Sequence, residues 1–549
     1  RVVHSRAGGP DEIFVLAGGS TGRDGIHGVT FASEVLDEAS QDEDLGAVQL
    51  GDPITKEPLI HACLDAIERG LVTGMKDLGG GGLSSCIGEM AHAAGCGAEV
   101  DLERVPLRQE GMRPWEIWIS ESQERMAMTV RPDRLDDLLA LFDTWDVPAV
   151  TIGRTVPGRR ITVRYDGNVV LDLDLAFYSG GPEYLRPFTT PSVSERPDTG
   201  EEPVDYGTMI LSLLGSPNVS SREWVIRQYD HQVRAGTVLP PLQGTVGFYG
   251  PGDAAVVKPL DSSVQGLAVT ADVNPEAVRA HPYWGACSTI DEVVRNLVAV
   301  NSRPHTLADC LNFGNPENSM RMGEFTEVLR GFSDVARPLG IPFVSGNVSF
   351  YNETPSGPIP PTPTVIGVGI VEDVRDILTL SLKEDGSALM LVGTTSLEMG
   401  GSQYHRLLGL QGRVPRVDVE MLKASVEGLL AAFRVFDVLS CHDPSEGGLA
   451  IALADMCIAG NRGVHVDLGP LESLRTDHLL FSESNTRWLL ELPEDQVDAF
   501  VAHMAPVPTR RIGTTGGVLT LERGGTHIAT LAVEDLRETW GRYLPEHMG

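Results

Sequence analysis

Residues 76–102 read KDLGGGGLSSCIGEMAHAAGCGAEVDL, and residues 442–468 read HDPSEGGLAIALADMCIAGNRGVHVDL. Asp77 matches Asp443, Gly82 matches Gly448, Gly97 matches Gly463 and Asp101 matches Asp467, all at an offset of 366 residues. Further along, ISESQERMAMTV (119–130) answers to FSESNTRWLLEL (481–492), and IGRT (152–155) to IGTT (512–515). Agreement over so many positions implies two copies of one domain, spanning 1–185 and 386–549. Within each copy, short apolar runs ending in Gly or Thr, IFVLAGG (13–19) and ALMLVGT (388–394), read as buried strands. Residues 53–70 and 419–436 have helical spacing. So do the segments that follow the glycine turns, with Ile87, Met90, Ala91 and Ala94 on one face in the first copy. Strand, glycine turn and helix in that order predict a mixed domain of the α/β or α+β class.

Between the copies the sequence is unlike either. Residues 186–204, RPFTTPSVSERPDTGEEPV, read as a linker. Residues 205–385 form a further domain with strands expected at 254–259, 266–273, 342–350 and 364–371. If the ancestral plan is a doubled two-domain unit A, B, A, B, this chain presents B, A, B.

Bulk properties bound the function. At 549 residues the chain needs several domains, and 42% hydrophobic with 22% charged residues is an ordinary globular composition. A formal charge of −33 disfavours nucleic-acid partners. Lysine is confined to Lys56, Lys76, Lys258, Lys383 and Lys423. No stretch approaches the roughly 18 apolar residues a membrane helix needs. The opening RVVHSRAGGPDE has no signal-peptide core, so a cytoplasmic setting is expected. That opening lacks Met and resembles the end of a strand, which points to a fragment boundary. The seven cysteines have no CxxC spacing, and each is expected to be a buried free thiol. The histidines show no HExxH or similar spacing and are expected at the surface or behind a site. Walker A and Rossmann fingerprints are absent from the sequence.

Several segments carry candidate chemistry, each with a structural alternative. GMKDLGGGGL (74–83) combines Asp77 with four glycines opening a helix, which aims backbone N–H groups at an anion or simply makes a tight packing turn. ISESQER (119–125) supplies Glu121, Ser122 and Gln123, in isolation an exposed polar loop. Asp253 in GPGDAAVVKP (250–259) and Asp272 in LAVTADVNP (267–275) are expected at strand ends, where carboxylates hold Mg²⁺ or, more simply, cap turns. ADCLNFGNP (308–316) crowds Asp309, Asn312 and Asn315 into nine positions, either a ligand loop or an elaborate turn. VSGNVSFYNET (344–354) places Gly346, Asn347 and Ser349 after a predicted strand, where glycine allows close approach, the Asn carbonyl suits a hard cation and the Ser hydroxyl a phosphate or amide.

Taken together, GPGDAAV, TADVNP, ADCLNFGNPEN, PFVSGNVSFYNET, PTPTVIGVG, VQLGDP, KDLGGGGL and SESQER resemble phosphoribosylformylglycinamidine synthase, the synthetase subunit of the small bacterial and archaeal type. The resemblance covers essentially the whole chain. It implies a duplicated A/B unit of the aminoimidazole-ribonucleotide-synthetase-like superfamily, here in the order B1, A2, B2 without an A1 domain. By the same resemblance Gln49, Glu121, Ser122, Gln123 and Ser349 bind formylglycinamide ribonucleotide, Asp309 and Gly346 contact ATP, and Asp77 and Asn347 hold Mg²⁺. No catalytic residue is assigned, since the family's lies in A1. The partners implied are a glutaminase subunit and a small bridging subunit, and a chain without A1 is expected to be inactive alone. The second copy, with Ser445 and Glu446 in place of glycines and Asn485 in place of Gln123, is expected to hold a degenerate site. Two other readings are a different ATP-dependent synthetase of the superfamily, which is about half as long and lacks the doubling, and a non-catalytic nucleotide-binding remnant.

Overall fold

The first glycine turn shows how sequence makes structure here. The strand Val72–Asp77 ends at Asp77, and Gly81 and Gly82 take left-handed backbone (φ 80° and 56°) before the helix Gly82–Ala94. That helix buries Leu83, Ile87, Met90 and Ala91 on one stripe and stops at Gly95, again left-handed (φ 70°). Its counterpart Gly448–Gly460 is apolar almost all round and buried almost all round, ending at Asn461.

The computed structural model describes residues 2–26, 51–181, 183–192 and 200–548. They form two units, Arg1–Leu185 with Tyr351–Gly357, and Arg186–Phe350 with Pro358–Gly549. In the first unit seven strands lie in the order 72–77, 125–130, 13–18, 149–156, 97–101, 160–165, 168–174. All pairs are antiparallel except Gly97–Asp101 beside Arg160–Tyr165.

In the second unit seven strands repeat that order as 440–442, 488–492, 388–392, 509–515, 464–467, 519–523, 526–531. The parallel pair recurs at the same place, Val464–Asp467 beside Leu519–Arg523. The duplication read from the sequence is thus a duplication of topology, and the mainly antiparallel ladders make the domain α+β. The second unit also holds a six-stranded sheet in the order 343–349, 303–312, 362–371, 266–272, 255–257, 237–239. The helix Pro282–Ala299 packs against this sheet and is buried along nearly its whole length. One apolar core joins it to Met390, Trp488 and Leu490 of the neighbouring seven-stranded sheet. In the segment expected to be a linker, Thr189 N–H donates to Ser319 O at 2.8 Å, and 193–199 lie outside the described residues.

The structure corrects some local expectations. Asp309 lies inside the ten-residue strand Arg303–Asn312 rather than in a loop, and Gly346 and Asn347 lie within the strand Phe343–Ser349, in agreement with the strand expected at 342–350 and not after its end. Six of the cysteines are buried as expected, but Cys310 on the strand Arg303–Asn312 is only half-buried.

Candidate active site

In the first unit the SESQER loop is no exposed loop. Glu121, Ser122 and Arg125 are buried, because the glycine turn packs directly on them. A Cβ on Gly82 would stand 2.0 Å from Ser120 O, so only glycine allows this approach. Gly81 N–H donates to Glu121 Oε1 at 2.9 Å, and Gln123 Nε2 donates to Glu121 O at 3.0 Å. Ser120 Oγ donates to Gly22 O at 2.6 Å, and Ser122 Oγ accepts from Gly22 N–H at 2.8 Å while bonding Asp24. Arg108 in turn donates to both carboxylate oxygens of Asp24 at 2.6 Å. Asp77, at the end of its strand, is exposed. The structure therefore brings Asp77, Glu121, Ser122 and Gln123 to one glycine-lined turn. Gln49 lies outside the described residues.

The loop is held by a side chain that was not singled out in the sequence. Arg125 donates to Ser122 O (2.8 Å), Thr21 Oγ1 (2.8 Å) and Ser120 O (2.7 Å), and burial draws its guanidinium down to about 10. In the second copy Arg487 donates to Ser484 O (2.8 Å), Thr395 Oγ1 (3.0 Å) and Ser482 O (2.7 Å), the same three bonds. Glu483 Oε1 likewise accepts from Gly447 N–H at 2.7 Å. The signal was present as an arginine three residues after the second serine of SES in both copies.

What differs is who occupies the loop. In the second copy the helix Pro282–Ala299 fills it: Asn485 Nδ2 donates to Ser288 Oγ (2.9 Å), and Thr486 N–H and Oγ1 donate to Asp291 (2.9 and 2.6 Å). Asp443, the counterpart of Asp77, accepts from the buried guanidinium of Arg295 at 2.5 Å. Around it lie two groups whose ligand atoms fall within 4.8 Å of one another, Asp253 with His442 and Asp443, and Asp272 with Glu292 and Glu446. Asp253 is thus part of a buried charge cluster and Asp272 of a half-buried one, rather than turn caps. His442 is buried, with Nδ1 2.7 Å from Asp253 Oδ1, so of the two expected placements it does not take the one at the surface. Burial raises Asp272, burial and the charge of Asp272 push Glu292 well up, and the same causes bring Glu446 to about 7. Carboxylates so crowded have the donor set of a divalent-cation site.

In the six-stranded sheet, Asp309 and Gly346 are direct partners across the parallel pair, as are Asn312 and Ser349. A Cβ on Gly346 would meet Asp309 Oδ1 at 2.6 Å, so the glycine makes room for that carboxylate. Burial raises the carboxyl of Asp309 above its usual range. It borders a cavity of about 410 Å³ with Phe332, Arg337, Ile341 and Phe343. Asn347 Nδ2 donates to Ser349 Oγ at 3.3 Å, which leaves its carbonyl oxygen for a ligand.

Residues 9–166 and 384–521 match the family described as AIR synthase related protein, C-terminal domain, and residues 251–371 match its N-terminal domain. The fold and site thus define a chain of AIR-synthase-related domains in the order C-terminal, N-terminal, C-terminal. Phosphoribosylformylglycinamidine synthase subunit PurL of Thermoplasma acidophilum is 39% identical over 550 residues, covering 100% of this chain and 72% of that protein. The structure of T. maritima PurL complexed with FGAR superposes with a TM-score of 0.71 at 27% identity, covering 94% of this chain and 73% of that one. The same Thermotoga maritima protein with AMPPCP and the PurLQS assembly each give 0.67 at 25%, covering 94% of this chain and 73% of theirs. The chain belongs to the PurL family, the phosphoribosylformylglycinamidine synthase subunit. No helix among the described residues is long and apolar enough to cross a membrane.

Proposed function

We propose that this chain carries the substrate and nucleotide contacts for converting formylglycinamide ribonucleotide, ATP and ammonia into formylglycinamidine ribonucleotide, ADP and phosphate. Gln49, Glu121, Ser122, Gln123 and Ser349 hold the ribonucleotide, and Asp309 and Gly346 hold ATP. The apolar cavity beside Asp309 suits an adenine, whose amino group donates to the carboxylate. The amide oxygen of the substrate attacks the terminal phosphorus of ATP and ADP leaves. Ammonia then adds to the activated carbon and phosphate departs with that oxygen, leaving the amidine. Asp77 and Asn347 each offer a hard oxygen donor of the kind Mg²⁺ takes, and Mg²⁺ when bound would neutralise phosphate charge. The contribution of the described residues is orientation: the Arg125 clamp fixes the loop that presents Gln123 before any ligand arrives. A glutaminase subunit supplies the ammonia and a small bridging subunit joins the complex, a reading supported by the Thermotoga PurLQS assembly. The functional division is 1–185, linker 186–204, 205–385 and 386–549, with the general acid or base outside these segments.

The observation that carries this reading is the glycine turn locked onto the Ser120–Gln123 loop by Gly81 and Glu121. Calorimetric titration of the ribonucleotide tests it: Gln123→Ala is expected to weaken binding at least tenfold and to leave ATP binding unchanged. Equal affinity in both proteins rejects the assignment. Turnover is expected only when the part of the relatives' length not spanned here is added in trans, measured as ADP release, and release without it refutes that part of the reading.

A further inference from the structure

A second cavity, of about 620 Å³, opens in the second unit between the end of the helix Pro275–Ala280 and the segment 400–414. None of the residues assigned above to ribonucleotide, ATP or metal lines it. Its volume is that of a small-molecule site, in a range of roughly 300–1,000 Å³. We propose that this cavity binds a small phosphate monoester, of the size of a pentose phosphate.

Charge is the first support. Arg279, Arg406 and Arg413 line the cavity with His281 and His405, against the single carboxylate of Glu276. Glu276 is already paired with Arg279. Arg406 and Arg413 are exposed and make no ion pair among the described residues. Glu398, whose carboxyl feels Arg413, is buried and accepts from Arg416 N–H at 3.1 Å. In a chain of formal charge −33, two guanidinium groups outside any ion pair among the described residues at one concavity favour an anion. Guanidinium forks match the paired oxygens of a phosphate.

Shape is the second. Gly400 N–H donates to Arg413 O at 2.8 Å, tying the two sides of the segment together. A Cβ on Gly400 would stand 2.2 Å from Gly412 O, and one on Gly401 (φ +82°) 2.7 Å from Ala277 Cα. The close backbone contacts hold the rim, and the glycines keep side chains out of the mouth. Ser402 and His405 are buried at its base. A volume of about 620 Å³ has room for a sugar beside the phosphate.

Ribose 5-phosphate is the probe, titrated calorimetrically into the full chain, with ribose and citrate as comparisons. Saturable binding is expected for ribose 5-phosphate and not for ribose. Arg406→Gln with Arg413→Gln is expected to weaken it at least tenfold, and Arg406→Lys with Arg413→Lys to weaken it less. Both arginines are exposed, so the variants keep the fold, which a thermal melt verifies. Gln123→Ala is expected to leave this binding unchanged. Binding lost with Gln123→Ala but kept in the double glutamine variant overturns the proposal while sparing the ribonucleotide site. Absence of saturable binding, equal binding of ribose, or tighter binding of citrate overturns it as well.

Discussion

At the scale of single residues, the buried guanidinium of Arg125 decides most about the first unit's loop. It satisfies two carbonyls and a hydroxyl in a buried setting, so removing it leaves those acceptors buried without this donor. Arg125→Ala is expected to lower stability by about 3 kcal/mol, read as denaturant midpoint, and to raise the ribonucleotide KM. Arg487→Ala should cost a similar amount of stability without touching that KM, because its loop is filled by Asn485–Ser288 and Thr486–Asp291 contacts. Glu483 gives a pH test. Burial, then the charge of Glu446, lifts it to about 8, whereas in the unfolded chain it ionises near the ordinary value of about 4.3. Between those values the folded state binds more protons than the unfolded one, so its contribution is greatest at low pH and is lost as pH rises toward 8. Glu483→Gln keeps an oxygen to accept from Gly447 and Gln403, and should flatten the fall in melting temperature between pH 5 and 8. An unchanged slope would show that Glu483 does not titrate there.

At the scale of elements, pairs of neighbouring strands and turns set the candidate contacts through glycine. Gly346→Ala puts a methyl group at 2.6 Å from Asp309 Oδ1. Because the clash is with the tip of a side chain and not with backbone, the carboxylate moves and the strand stays. ATP affinity is expected to fall at least tenfold while the melting temperature changes little. Gly82→Ala is the opposite case: its Cβ meets the backbone of Ser120 at 2.0 Å and its φ is positive, so both stability and ribonucleotide binding should fall. Calorimetry and a thermal melt on the two variants distinguish the cases.

At the scale of the whole molecule, the six-stranded sheet ends, among the described residues, in the strand Phe343–Ser349. Among the described residues that strand is bonded on one side only, with Val344 67% and Val348 46% exposed. Val269 and Ile366, on one face of the neighbouring strands, are also exposed. An open edge of apolar residues pairs with whatever strand it meets. Concentration-dependent self-association is expected in sedimentation velocity, and Val344→Lys with Val348→Lys should suppress it. A monomer at all concentrations for the unaltered chain would contradict this.

Much of this molecule was legible in the sequence. Spacing alone revealed the duplication, because two copies of a domain keep the glycines that their turns need, and the period of apolar residues located the helices after them. The resemblance of short motifs pointed to the family. Other features required tertiary structure, since they depend on atoms far apart in the chain. SESQER reads as polar and exposed until the glycine turn of residues 79–82 is seen to bury it. Asp253 and His442 are 189 residues apart and form one charge cluster only because the middle sheet packs on the second repeat. The filling of the second loop by Ser288, Asp291 and Arg295 could not be read from either copy, since the filling groups belong to neither. Sequence by itself determined the repeated domain and its local turns, which short-range sterics and hydrophobic period dictate. That a neighbouring helix closes the second loop was decided by long-range packing alone.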